Sequence, residues 1–123
     1  MNFYICEHCN KIVIHMKNSG LPTACCGEKM KLLVPTREGT SEKHLPQVKV
    51  EGNKVTISVG EVIHPMSEEH LIEWIALETS NGIQYLKLFQ SDEPKAEFMV
   101  SNGTKLIAAY AYCNLHGLWK YIF

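Results

Sequence analysis

Hydrophobic and polar positions alternate along most of this chain, and the alternation predicts strands. Val48, Val50, Val55, Ile57 and Val59 flank Gly52-Asn53, a pair suited to a tight turn with positive φ at its first position. The segment therefore reads as a β-hairpin with one face on a core. Further alternating or β-branched runs cover Ile83 to Phe89, Ala96 to Val100, Lys105 to Cys113 and Leu118 to Phe123, separated by Asn81-Gly82, Pro94 and Asn102-Gly103. Short strands separated by turn residues describe an antiparallel sandwich. One stretch suits two readings: Ser67 to Leu77 opens with an N-cap residue type and early acidic residues, and its apolar positions are compatible with a helix. The turn at Ser80-Asn81-Gly82 and the alternating run beyond it favour a strand from about Leu71, the first arm of a hairpin.

The start of the chain is patterned differently. Ile12-Val13-Ile14 and Met30-Lys31-Leu32-Leu33-Val34 predict two short strands, the second ending at Pro35, and little else there is apolar. Below about 40 residues a disulfide, a metal or oligomerisation usually supplies the stability that such a core lacks. The polar, turn-rich run Thr36 to His44 follows, and it sets a boundary near residue 36, giving a small module at 1–36 and a larger domain at 37–123.

Composition narrows the partners. The 123 residues are 46% hydrophobic and 20% charged, enough for one modest core, or for a small core plus a metal-stapled module. A net charge of −1 gives no basic stripe for nucleic acid, and no apolar run of about 18 residues could span a bilayer, so neither partner is expected. The N-terminus lacks the basic and apolar regions of a signal peptide, which points to the cytoplasm. Five cysteines is an odd number, and in a reducing compartment thiols serve more often as metal ligands or reactive groups than as disulfides.

The cysteines and histidines then sort into two sets. Cys6-Glu7-His8-Cys9 has the spacing that lets both sulfurs face one ion, and Cys25-Cys26 completes four thiolates for a tetrahedral site, in which sulfur ligands leave zinc and iron both open. Cys113 and His116 sit three positions apart, with Gly117 removing a side chain where the backbone must turn. His44, His64, His70 and His116 each lie beside turn chemistry, on what read as loops at the margins of a sheet. A tetrahedral zinc site would use four of these five donors; all five suit a square-based iron site with an open sixth position. His8 and His15 join neither set and read as surface residues.

Together these motifs resemble the desulfoferrodoxin type of superoxide reductase. The resemblance rests on Cys6-x-x-Cys9 with Cys25-Cys26, Glu42-Lys43-His44 followed by Pro46, His64-Pro65-Met66, Glu69-His70, and Cys113-Asn114-Leu115-His116-Gly117 with Trp119, and it spans essentially the whole chain. It implies a mostly β protein, with a small rubredoxin/desulforedoxin-like metal module followed by an immunoglobulin-like antiparallel β-sandwich. It implies two irons per chain: Fe(Cys)4 on Cys6, Cys9, Cys25 and Cys26, and Fe(His)4Cys with His44, His64, His70 and His116 in a plane and Cys113 on the axis. The implied activity is reduction of superoxide to hydrogen peroxide, in a homodimer, with electrons from rubredoxin or a similar carrier. Lys43 would steer superoxide and assist its protonation, and Glu42 would occupy the open position of the oxidised iron. The rival readings are an iron-binding electron-transfer protein without turnover and a zinc-stabilised interaction module.

Overall fold

In the computed structural model, which describes residues 1–36, 44–60 and 64–123, contacts divide the chain into Met1–Val34 and Pro35–Phe123. The first unit has five short strands: β1 (Phe3–Ile5), β2 (Ile12–Ile14), β3 (Ala24–Cys25), β4 (Glu28–Lys29) and β5 (Lys31–Leu32). β1 lies between β2 and β5, antiparallel to both, and β3 pairs with β4. The sequence pattern missed β1, β3 and β4, whose two or three residues are too few to show a period, and over-extended β5, which ends at Leu32. Its buried apolar side chains are Phe3, Cys6 and Met30.

Tight turns do the positioning in this unit. Between β3 and β4, Cys25 pairs with Glu28 across a two-residue loop in which Cys26 (φ 53°) and Gly27 (φ 76°) both have positive φ. That is the backbone of a type I′ turn, and it costs the non-glycine Cys26 about 1–2 kcal/mol. Between β1 and β2 the chain turns through Cys6–Lys11, closed by Cys6 N–H donating to the Lys11 carbonyl (2.9 Å) and Asn10 N–H to the Cys6 carbonyl (2.8 Å). Asn10 takes the left-handed position at φ 63°, which its short polar side chain tolerates.

Among the described residues the second unit is a sandwich of seven strands: β6 (Pro46–Glu51), β7 (Lys54–Val59), β8 (Ile72–Thr79), β9 (Gly82–Lys87), β10 (Lys95–Met99), β11 (Leu106–Cys113) and β12 (Gly117–Ile122). One sheet runs β10-β7-β6, the other β12-β11-β8-β9, and every pairing is antiparallel, an immunoglobulin-like arrangement. The hairpin turn at Gly52 (φ 60°) joins β6 to β7. Val55, Ile57, Val59, Ala96 and Phe98 from the first sheet pack with Ile72, Ile75, Leu77, Ala109, Ala111 and Cys113 from the second.

The ambiguous stretch is strand β8, and a bulge explains its helix-like spacing. Tyr112 pairs with Trp74 but Cys113 with Ile72, so two residues of β8 oppose one step of β11. The extra residue reverses the alternation, which puts Ile72 and Ile75, three apart, on the same core face. Among the described residues, no helix is long and apolar enough to cross a membrane.

Candidate metal centres

In the first unit the two turns bring Cys6, Cys9, Cys25 and Cys26 together, with their sulfurs within 4.8 Å of one another. The Cys9–Cys25 and Cys25–Cys26 Sγ separations are 3.7 and 3.9 Å. A tetrahedron with arms of about 2.3 Å, the usual metal–thiolate length, has edges of about 3.8 Å, so the spacing is that of sulfurs around one ion. Electrostatics agree. Backbone N–H groups of Cys9 and then His8 point at Cys6 and lower its thiol to about 6. Cys26 is pushed up to about 12, first by Cys6 and then by Cys9 and Cys25, because without a cation neighbouring thiols share protons instead of all ionising. Such a cluster fits a divalent or trivalent metal. His8 pairs with Glu28 at 3.1 Å and His15 bonds Thr23 Oγ1 at 2.7 Å, which places both outside the sulfur cluster.

In the second unit His44, His64, His70, Cys113 and His116 converge with donor atoms within 4.8 Å of one another. The imidazoles form a ring in the order 44, 64, 70, 116. Neighbouring centroids are 4.5, 4.6, 5.1 and 4.6 Å apart with ring planes at 68° to 80°, whereas His44 and His70 lie across the ring at 6.2 Å. His44 Nε2 is 2.9 Å from His64 Nε2 and 3.0 Å from His116 Nδ1. A square with arms of about 2.1 Å has edges of about 3.0 Å, and a tetrahedron with the same arms about 3.4 Å. The nitrogens are therefore spaced for a square. Cys113 Sγ, 3.7 Å from His116 Nδ1, is the fifth donor.

Tautomers and charges fit a metal as well. The His64 Nδ1–H donates to the Pro65 carbonyl at 2.6 Å, so the Nε2 lone pair faces the centre of the ring. Burial lowers the His64 pKa to about 4, keeping the imidazole neutral. Burial raises the Cys113 thiol, opposed by the backbone N–H groups of Leu115 and His116, so binding a cation there releases a proton. His44, His64 and Cys113 are buried, His70 is half-buried and His116 is the exposed member of the set.

Local folding explains this convergence. β11 and β12 are joined by Asn114-Leu115-His116, with Gly117 at φ 81° closing against Cys113, so one turn brings two donors together, Cys113 at the end of β11 and His116 in the loop. Asn114, which sequence reasoning gave no role, holds a third: its side chain accepts from Leu71 N–H at 3.0 Å and donates to the Glu69 carbonyl at 2.9 Å, clamping both sides of His70. Trp119, also given no role, is buried and stacks on His44 with centroids 4.9 Å apart and planes at 14°. The asparagine in a turn was a visible signal; the stack depends on a fold that sequence does not show. Glu42 and Lys43 lie outside the described residues.

Comparison with known proteins agrees with this geometry. A family model described as Desulfoferrodoxin matches residues 36–122. The chain is 45% identical to a desulfoferrodoxin homolog of Archaeoglobus fulgidus, over 98% of this chain and 95% of that one. It is 43% identical to a desulfoferrodoxin of Nitratidesulfovibrio vulgaris, over 95% and 92%. The superoxide reductase of Treponema pallidum superimposes with a TM-score of 0.82 at 34% identity, covering 98% of this chain and 95% of that chain. The four-sulfur group and the group of four imidazoles with one thiolate match the two-iron desulfoferrodoxin arrangement. This chain belongs to the desulfoferrodoxin family.

Proposed function

We propose that this protein is a superoxide reductase, with Fe(Cys)4 in the first unit and the catalytic iron in the second. The observation that carries the reading is the square of four imidazoles with a thiolate as fifth donor, because it leaves a sixth position for a small ligand. Iron bound there would supply the electron that, with two protons, converts superoxide to hydrogen peroxide. Four neutral imidazoles and one thiolate carry a single negative charge, so a ferrous site keeps a local charge of about +1 that attracts an anion. His116, the exposed member of the set, would lie nearest to the water from which superoxide and the protons of peroxide come. His64, held by Pro65, and His70, held by Asn114, keep the square from collapsing.

The finer parts of the reading rest on the resemblance: steering by Lys43, gating by Glu42, a rubredoxin-like donor and a cytoplasmic site of action. A homodimer also draws support from Met16, Leu21 and Val34, exposed apolar side chains on a unit with few buried ones. Metal analysis with visible spectroscopy tests the proposal. Two irons per chain and a colour that appears when superoxide oxidises the reduced protein are expected. Zinc in both centres, with no colour change, would overturn it.

A further inference from the structure

The face of the four-stranded sheet opposite the core carries an aromatic row whose inner end is the chain neighbour of a donor of the second centre. Tyr112, covalently next to Cys113, pairs across the sheet with Trp74, and their rings stack at 5.6 Å and 10°. Trp74 in turn lies 6.4 Å from Tyr85. Tyr85 is diagonal to it on the neighbouring strand, opposite Ala76, whose small side chain leaves the Tyr85 ring room to lean toward the indole. Tyr112 and Trp74 are 8% and 7% exposed, whereas Tyr85 is 59% exposed. The row thus runs from the chain neighbour of a buried metal ligand to water.

We propose that Tyr112, Trp74 and Tyr85 form a one-electron relay that draws oxidising equivalents away from the second centre and spares Cys113. The proposal rests on the superoxide reductase reading, which makes peroxide the product at this site. Peroxide is a two-electron oxidant and a ferrous centre gives one electron. A thiolate ligand standing beside it is the next reductant, and beyond the sulfenic stage its oxidation is irreversible. Tyrosine and tryptophan are the side chains that compete with sulfur for one-electron oxidation. The balance is complete: hydrogen peroxide takes one electron from the ferrous iron, one electron and one proton from Tyr85, and one proton from solvent, giving two waters, ferric iron and a Tyr85 phenoxyl radical. Tyr85, at the exposed end, can give its phenolic proton to water. A one-electron carrier of the kind that re-reduces the iron restores the phenol. Cross-strand packing accounts for the Tyr112–Trp74 stack at about 0.5–1.5 kcal/mol, but gives no reason for the row to end at an exposed phenol.

The test uses the full-length iron-loaded protein. Its ferrous form is first shown to be oxidised by superoxide, then a fresh ferrous sample is mixed anaerobically with one equivalent of hydrogen peroxide, freeze-quenched and examined by electron paramagnetic resonance. A tyrosyl signal is expected that falls about tenfold in Tyr85→Phe and in Trp74→Phe, while peroxide-dependent Cys113 oxidation, read by mass spectrometry, rises about threefold. Tyr121→Phe, outside the row, should leave both unchanged. No tyrosyl signal in the wild type, or an equal signal in Tyr85→Phe, would overturn the relay. A ferrous protein that superoxide does not oxidise would overturn the functional reading, and with it the relay, which would have no oxidant to divert.

Discussion

In the first unit four sulfurs come from two tight turns on a scaffold that buries Phe3, Cys6 and Met30; in the second, five donors come from four segments of a sandwich with a continuous core. With so few buried side chains the first unit should need its metal to be a folded body, and its Cys26 takes a left-handed backbone that a small core does not easily offset. The second is a folded body that presents a site. A metal ligand in the first is therefore chiefly a matter of local structure, and in the second chiefly a matter of chemistry.

Four predictions press on that difference. The largest effect is expected from Cys113→Ser, which removes the one anionic donor of the five. Superoxide reduction should fall by at least about a hundredfold, as loss of a metal's key ligand does, while the first-centre spectrum and the amide dispersion of the sandwich persist. An unfolded second unit would show that this metal, too, is structural. Next, stripping both metals with a chelator should collapse the amide resonances of residues 1–34 to unfolded positions and leave those of the sandwich core dispersed, as for other small metal-dependent modules. Simultaneous loss in both units would erase the contrast.

What the sequence made legible follows the same division. Both donor sets could be read from residue type and turn chemistry, because clustered thiolates and imidazoles beside Gly and Pro have few uses other than holding a metal. The hairpins were legible from alternation. The bulge opposite Cys113 was not, since one extra residue converts a period of two into the i, i+3 spacing of Ile72 and Ile75 and mimics a helix. Residue type left the tetrahedron and the square both open, and the planar set came from the resemblance, because ring order and nitrogen spacing depend on how four segments meet. Asn114 was visible as an asparagine in a turn, but its clamp on His70 and the stacking of Trp119 on His44 are tertiary contacts that no local pattern encodes.

Smaller effects sharpen the second half of the comparison. Trp119→Leu empties part of a core position and frees the His44 ring: about 2–3 kcal/mol of stability should be lost, and the oxidised iron's visible band should shift. Trp119→Phe, which keeps an aromatic face against His44, should restore the band more fully than the stability. Equal recovery of both would make Trp119 a packing residue alone. The smallest effect belongs to Lys43→Ala. Attraction of an anion by a surface cation is screened over about 10 Å at 0.1 M salt, so the variant should bind superoxide more slowly at low salt and with a flatter salt dependence. A wild-type rate and slope would leave Lys43 an ordinary solvated charge.

The claim that the second centre works by itself as a reductase is tested most directly in Cys9→Ser, which lacks one of the four sulfurs of the first centre. Pulse radiolysis of the ferrous variant, with peroxide and oxygen both quantified, should show oxidation of the second centre within about twofold of the wild-type rate, as expected for sites that act independently. Each superoxide consumed should yield one peroxide, with no oxygen evolved. Oxygen evolution at half the superoxide consumed would mean dismutation, and a loss of rate matching that of Cys113→Ser would mean that the two centres act as one.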